Sequence, residues 1–205
     1  FVFGMNRTSV AHAALIIGIT PVLVLIIAAA TGLERLSVAR LSGMFIALSG
    51  VALLETGAGK ANAATLAGDF WIFLGATTFA LFTVGGKRVA HAFTSVTLNT
   101  FAYVASAILL LPITIWQTVS FPFANVSSAA WASVLYMALV ASVLCYLIYY
   151  HALTCIPASR VAAFSYVQPL LATVLAIPTL GERPTTALVA GGALVLAGVI
   201  MAERL

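Results

Sequence analysis

The sequence predicts an all-α integral membrane protein, with about seven transmembrane helices drawn from a ten-helix plan of two inverted five-helix repeats. Three observations predict it. The 205 residues are 63% hydrophobic and 7% charged, with a mean hydropathy of +1.16, whereas a soluble domain carries about a quarter charged residues. The uncharged runs are long: 26 residues lie between Arg7 and Glu34, and 71 between Arg88 and Arg160. A membrane helix needs about 20 apolar residues and a membrane strand about 10 alternating ones; these runs are continuously Ala/Leu/Val/Ile-rich, so helices follow. The third observation is an internal repeat.

The expected spans are 10–30, 38–55, 68–87, 96–117, 129–153, 158–180 and 185–202. The second has only 14 uncharged residues between Arg40 and Glu55, so it must start before Arg40, with its end charges snorkelling to the interface. The 71-residue run divides at Phe121, Pro122 and 125–128, a turn-rich break, flanked by Trp116 and Trp131 at interfacial positions. Threading the spans puts Arg35, Arg40, Lys87, Arg88, Arg160 and Arg204 on one side and Arg7, Lys60 and Arg183 on the other. The basic excess marks the first side, and with it the C-terminus, as cytoplasmic.

Sliding the chain against itself by 148 residues brings Pro21 onto Pro169, Glu34-Arg35 onto Glu182-Arg183, Gly43 onto Gly191 and Gly50-Val51 onto Gly198-Val199. Ala and Leu matches carry little in apolar helices, but these landmarks hold one ungapped register. The shift spans five helices, an odd number, so the second copy is inverted in the membrane. Inverted repeats are a recurring plan of secondary transporters, where two near-equivalent halves expose a central site alternately. A duplicated channel or scaffold is the competing explanation of the repeat.

The doubled pattern of an aliphatic helix with a central Pro, a Glu-Arg turn and a Gly-x6-Gly helix resembles the EamA type of the drug/metabolite transporter superfamily. It reads SVAHAALIIGITPVLVLIIAAATGLERLSVARLSGMFIALSGVALLE in the first copy and SRVAAFSYVQPLLATVLAIPTLGERPTTALVAGGALVLAGVIMAE in the second. The resemblance covers essentially the whole chain. It implies ten helices in two inverted five-helix repeats, cytoplasmic termini, and movement of small metabolites or drugs. On that plan residues 1–56 are the C-terminal part of a first repeat, 57–67 a linker and 68–205 a complete second repeat. The first copy would then begin about 80 residues before Phe1, and the chain is expected to be the last seven helices of ten.

Candidate substrate-binding residues follow from the prolines. A mid-helix proline frees the carbonyl four residues earlier, here Ile17 for Pro21 and Ser165 for Pro169, and a freed carbonyl is tolerated in hydrocarbon only against protein or a wet cavity. The kinks either line a central site or only shape packing. Thr20 and Gln168 precede the two prolines at equivalent positions; the Gln168 amide can donate to and accept from a substrate or another helix. Ser165 and Tyr166, with Asn99 and Tyr146 on other helices, complete the set. The pairs Glu34-Arg35 and Glu182-Arg183 are expected to anchor loops at helix ends. Gly43 and Gly50, like Gly191 and Gly198, lie seven apart on one helix face and permit close helix contact, within the chain or between two copies in a homodimer. Asp69 is expected to favour the N-terminal dipole of its helix.

No hydrolase, zinc-protease or phosphate-loop motif occurs in the sequence, so no cofactor, metal or enzymatic activity is expected. Basic residues are too few and scattered for a nucleic-acid track. The leading expectation is a multi-pass transporter of the cell (plasma or inner) membrane, contacting the lipid bilayer and a small-molecule substrate. It would export amino-acid-like metabolites or drugs by alternating access. The alternatives are a seven-helix receptor or sensor, which gives no reason for the repeat, and a non-transporting scaffold.

Overall fold

The computed structural model describes residues 2–8, 10–55, 65–119, 121, 123, 126–171, 174 and 186–204. Among them every regular element is helical: α1 (Val2–Met5), α2 (Val10–Gly18), α3 (Thr20–Ala30), α4 (Val38–Glu55), α5 (Leu66–Val89), α6 (Ser95–Thr118) and α7 (Ser128–Tyr136). A π-helical stretch (Met137–Leu144) joins α7 to α8 (Cys145–Cys155); α9 (Ala158–Ala163) runs into a 3-10 turn (Phe164–Tyr166), helix resumes over 167–171, and α10 (Thr186–Arg204) closes the chain. Five described stretches are long and apolar enough to cross a membrane: His12–Ala30, Val38–Glu55, Leu66–Val89, Ser95–Thr118 and Ser128–Cys155. Thr186–Ala202 is a shorter apolar helix. The end of the expected span 158–180 lies outside the described residues, as do Lys60, Pro122, Asn125, Glu182 and Arg183.

Sequence punctuation accounts for the boundaries. The second span starts at Val38, before Arg40, and its only acidic residue is its last, Glu55. The break in the long run falls after Thr118, and Ser127 starts the next helix by accepting a hydrogen bond from the Ala130 N–H at 3.2 Å, an ordinary N-cap. Helix α3 ends where Gly32 adopts φ +72°. There Leu33 N–H donates to the Ala28 carbonyl at 2.9 Å and Gly32 N–H to Ala29 at 3.0 Å, a Schellman ending that requires a left-handed residue.

Packing divides the chain into two compact units, 1–85 with 156–205 and 86–155. In the first, the core gathers Val22, Leu25, Met44, Ala47, Val51, Tyr166, Val195 and Val199 from α3, α4, the 3-10 turn and α10. Its closest helix contact is made by glycines. A Cβ built on Gly43 would lie 2.8 Å from the Gly198 carbonyl oxygen, and one on Gly50 would lie 2.7 Å from that of Gly191. The pairing of 43 with 198 and 50 with 191 runs α4 and α10 antiparallel. Sequence reasoning left open whether these faces met within the chain or between copies; the contact is within the chain.

In the second unit, α6 and the hairpin partner α7–α8 carry long exposed apolar faces, including Leu109, Leu110, Trp116, Leu135 and Leu139. Tyr103 of α6 meets Tyr146 of α8 edge to face at 6.1 Å. Its hydroxyl donates to the Ser142 carbonyl at 3.0 Å, inside the π-helical stretch where the regular ladder is interrupted. The Lys87 ammonium donates to the Leu153 carbonyl at 2.6 Å, satisfying one of the open carbonyls at the C-terminal end of α8.

Candidate functional site

The first expected span is broken at Ile19, between α2 and α3. Pro21 has no N–H, so nothing in the helix replaces the bond it would have made to Ile17. The chain tightens there instead: Ile19 N–H donates to Ile16 at 3.1 Å, and Leu23 N–H to Ile19 at 3.1 Å. Thr20 and Pro21 are buried in the turn that results. The related proline behaves differently. Ahead of Pro169 the helix narrows to a 3-10 turn, and the Val167 N–H is directed at the Phe164 and Ser165 carbonyls. Pro169 itself brings no N–H to Ser165, and the 3-10 turn ahead of it is where the helix narrows.

The two irregular segments share a cavity of about 280 Å³. Ala14, Ile17 and Gly18 of α2 form one wall and Val51 of α4 another. The third is Ser165, Tyr166, Gln168 and Pro169, four of the residues singled out in the sequence. Thr20 and Pro21 shape the break beside this wall rather than lining it. Tyr166 is 2% exposed, and its phenolic oxygen has no hydrogen-bond partner among the described residues. Among the described residues, none that lines the wall carries a formal charge. The lining set includes the Ser165 hydroxyl and the Gln168 amide with apolar side chains around them, while the Tyr166 oxygen itself is fully shielded.

Asn99 and Tyr146 belong to the second unit. Asn99 is 5% exposed, and its Oδ1 lacks a donor among the described residues. Tyr146 packs in a tyrosine cluster with Tyr103, Tyr149 and Tyr150, at ring separations of 5.9–6.5 Å.

The charged residues form clamps that the sequence did not specify. Glu34, with a side chain 6% exposed, pairs with Arg40 at 3.3 Å, while its neighbour Arg35 is exposed. The Glu34 carboxylate also accepts from the Ser159 N–H at 3.1 Å and from the Ser159 hydroxyl, tying the loop after α3 to the start of α9. Asp69 lies in the first turn of α5, as its dipole role required. It also accepts from the Thr8 hydroxyl and faces His12 Nδ1 at 3.2 Å. Sequence reasoning missed Ala14, Gly18 and Val51 as wall residues; only Ala14, three residues before Ile17 on one helix face, had a spacing that could have signalled it.

Residues 66–203 match the EamA-like transporter family. The chain belongs to the EamA-like transporter family. The family, and the relatives that follow, are named as transporters, not enzymes, in keeping with the five described helices long and apolar enough to cross a membrane. The chain is 28% identical over 206 residues to the uncharacterized transporter YyaM of Bacillus subtilis (strain 168), covering 99% of this chain and 67% of that protein. It is 30% identical over 193 residues to a probable terminal-alkyne amino-acid exporter of Streptantibioticus cattleyicolor, covering 94% and 63%. An uncharacterized transporter of Archaeoglobus fulgidus is 27% identical over 164 residues, covering 79% and 56%. The chain thus spans 56–67% of the length of these relatives. A solved crystal structure superposes with a TM-score of 0.81 at 20% identity, over 98% of this chain and 71% of that one, a likeness of fold.

Proposed function

We propose that the protein is a secondary exporter of small, amino-acid-like metabolites or drugs. It works by alternating access of two inverted repeats, sits in the cell membrane and has a cytoplasmic C-terminus. The observation that carries this reading is the cavity where the break of α2–α3 meets the 3-10 turn, with Ser165, Tyr166 and Gln168 in its wall. Irregular backbone at membrane depth is tolerated where it lines a cavity, and discontinuous helices form the sites of many secondary transporters. The reciprocal approach of Gly43 to Gly198 and Gly50 to Gly191 supports the inverted relation, because the 148-residue shift exchanges one contact for the other. The relative named as an amino-acid exporter supports the substrate class. The charge asymmetry of the loops supports the orientation.

The test is flux of amino acids, their derivatives and drugs in vesicles carrying the full chain. Wild type should move at least one class above empty vesicles, and Gln168→Ala should lower that flux at equal expression. Flux equal to empty vesicles across the panel overturns the proposal.

A further inference from the structure

The cavity lies between two chain segments that meet again further along. One is α2–α3, broken at Ile19; the other is α9 with its 3-10 turn. Away from the cavity α3 packs against α9, and Leu25 of the first and Ala163 of the second belong to one buried cluster. Helix α3 has 11 residues, about 16 Å of length, between the break and the loop that carries Glu34.

Glu34 ties the far ends of these segments together. Its carboxylate accepts from the Ser159 N–H at 3.1 Å and from the Ser159 hydroxyl, and Ser159 is fully buried. The Glu34 N–H donates to the Ala28 carbonyl at 3.2 Å, which fixes Glu34 to the last turn of α3, so it travels with that helix. Its counter-ion Arg40, at 3.3 Å, belongs to α4 and not to α9. Parting α3 from α9 therefore breaks the hydrogen bonds to Ser159 and leaves the carboxylate paired. A buried carboxylate stripped of every partner is strongly unfavourable. Loss of two hydrogen bonds is a cost on the scale of a conformational equilibrium.

We propose that Glu34 and Ser159 are the latch of a gate, in which α3 and α9 shut the cavity off from the membrane face that carries Arg35 and Arg40. Release of Ser159, with Arg40 retained, opens the cavity to that face by movement at the Ile19 break and the 3-10 turn, the two irregular points that can act as hinges. The proposal rests on the cavity being the substrate site of the exporter, and it names the contact that alternates on one face. Glu34 and Ser159 are positioning residues, outside the described cavity lining.

The test puts a reporter thiol in the cavity of the full chain with Ser165→Cys, at an exposed residue of its wall, in a Cys145→Ser, Cys155→Ser background. Reaction with a membrane-impermeant maleimide is followed from each face separately, in vesicles of known sidedness. Releasing the latch shifts population toward the conformer open at the Arg35 face. Glu34→Gln should speed labelling from that face about tenfold or more, and Ser159→Ala, which loses one hydrogen bond, about fivefold. Neither should speed labelling from the opposite face. A clamp that only holds the bundle together gives another pattern, faster labelling from both faces as packing loosens. The latch is overturned by unchanged labelling, by a rise on both faces alike or on the opposite face alone, and by failure of both variants to fold. Wild-type flux equal to empty vesicles removes the exporter reading by itself, whereas flux present without the one-sided rise removes only the latch.

Discussion

Gly50 and Gly191 face each other across α4 and α10 with their backbones in contact: a Cβ on Gly50 would lie 2.7 Å from the Gly191 carbonyl oxygen, and one on Gly191 would lie 2.8 Å from that of Gly50. The obstacle in both directions is backbone, which cannot rotate aside as a side chain can. Gly50→Ala and Gly191→Ala should each lower stability by about 1–3 kcal/mol, the range for overpacking. The double variant should cost less than the sum, because the first methyl already separates the helices. Gly85, which has nothing within 4 Å of its Cβ position, is the control. Gly85→Ala should cause no loss and a gain of up to about 1 kcal/mol from helix propensity. Thermal unfolding of the detergent-purified protein checks all four variants.

The Glu34 carboxylate joins three groups, the Arg40 guanidinium and the N–H and hydroxyl of Ser159. Glu34→Ala leaves the arginine without its ion-pair partner and Ser159 without its acceptor, and should cost about 2–4 kcal/mol. Arg35→Ala, one residue on and exposed, should change stability by less than about 0.5 kcal/mol. Equal effects of the two in chemical denaturation would remove the clamp as an explanation for the Glu-Arg turn.

Much of this architecture was legible because polarity and backbone chemistry are written locally. Arg7, Glu34, Arg88 and Arg160 delimit the apolar runs, Pro21 marks the break, and the seven-residue spacing of Gly43 and Gly50 marks one close-packing face. The sequence could not say which face that would meet, because a Gly-x6-Gly stripe is equally suited to a second copy. It gave Glu34 an adjacent arginine as its apparent partner, whereas the partner is Arg40, six residues on, and Ser159, 125 residues away. Such pairing depends on tertiary geometry that no local spacing encodes. The π-helical stretch over Met137–Leu144 has no proline or glycine to announce it. Four cavity residues could be named from the second proline and its polar neighbours. That the Tyr166 hydroxyl lacks a partner among the described residues became visible only with the packing around it.

Ala14 is half-buried on the cavity wall, opposite residues that approach from another helix. Ala14→Phe places a ring in a space of about 280 Å³ without removing any hydrogen bond. Flux should fall at least about tenfold if the ring takes the place of the substrate, while the unfolding midpoint holds, since filling a void adds contacts. Flux at the wild-type level in vesicles with matched protein content would place the substrate path elsewhere.

The two prolines should differ when replaced, although the repeat makes them equivalent in sequence. Pro21→Ala restores an N–H four residues after Ile17, so the break at Ile19 can close into continuous helix and the Ile17 carbonyl is consumed. Pro169→Ala restores an N–H toward Ser165, but the segment before it is a 3-10 turn over Phe164–Tyr166 rather than an open break between two helices, so the turn has less reason to straighten. Removing a proline from a helix interior recovers up to about 3 kcal/mol of backbone cost, against which the lost ring packing of the fully buried Pro21 must be set. The expected outcome is that Pro21→Ala folds with an unfolding midpoint at or above wild type and loses most transport, while Pro169→Ala keeps more of it. Paired flux and thermal-unfolding measurements decide this. Equal transport in the two variants would mean that the break in α2–α3 serves packing alone.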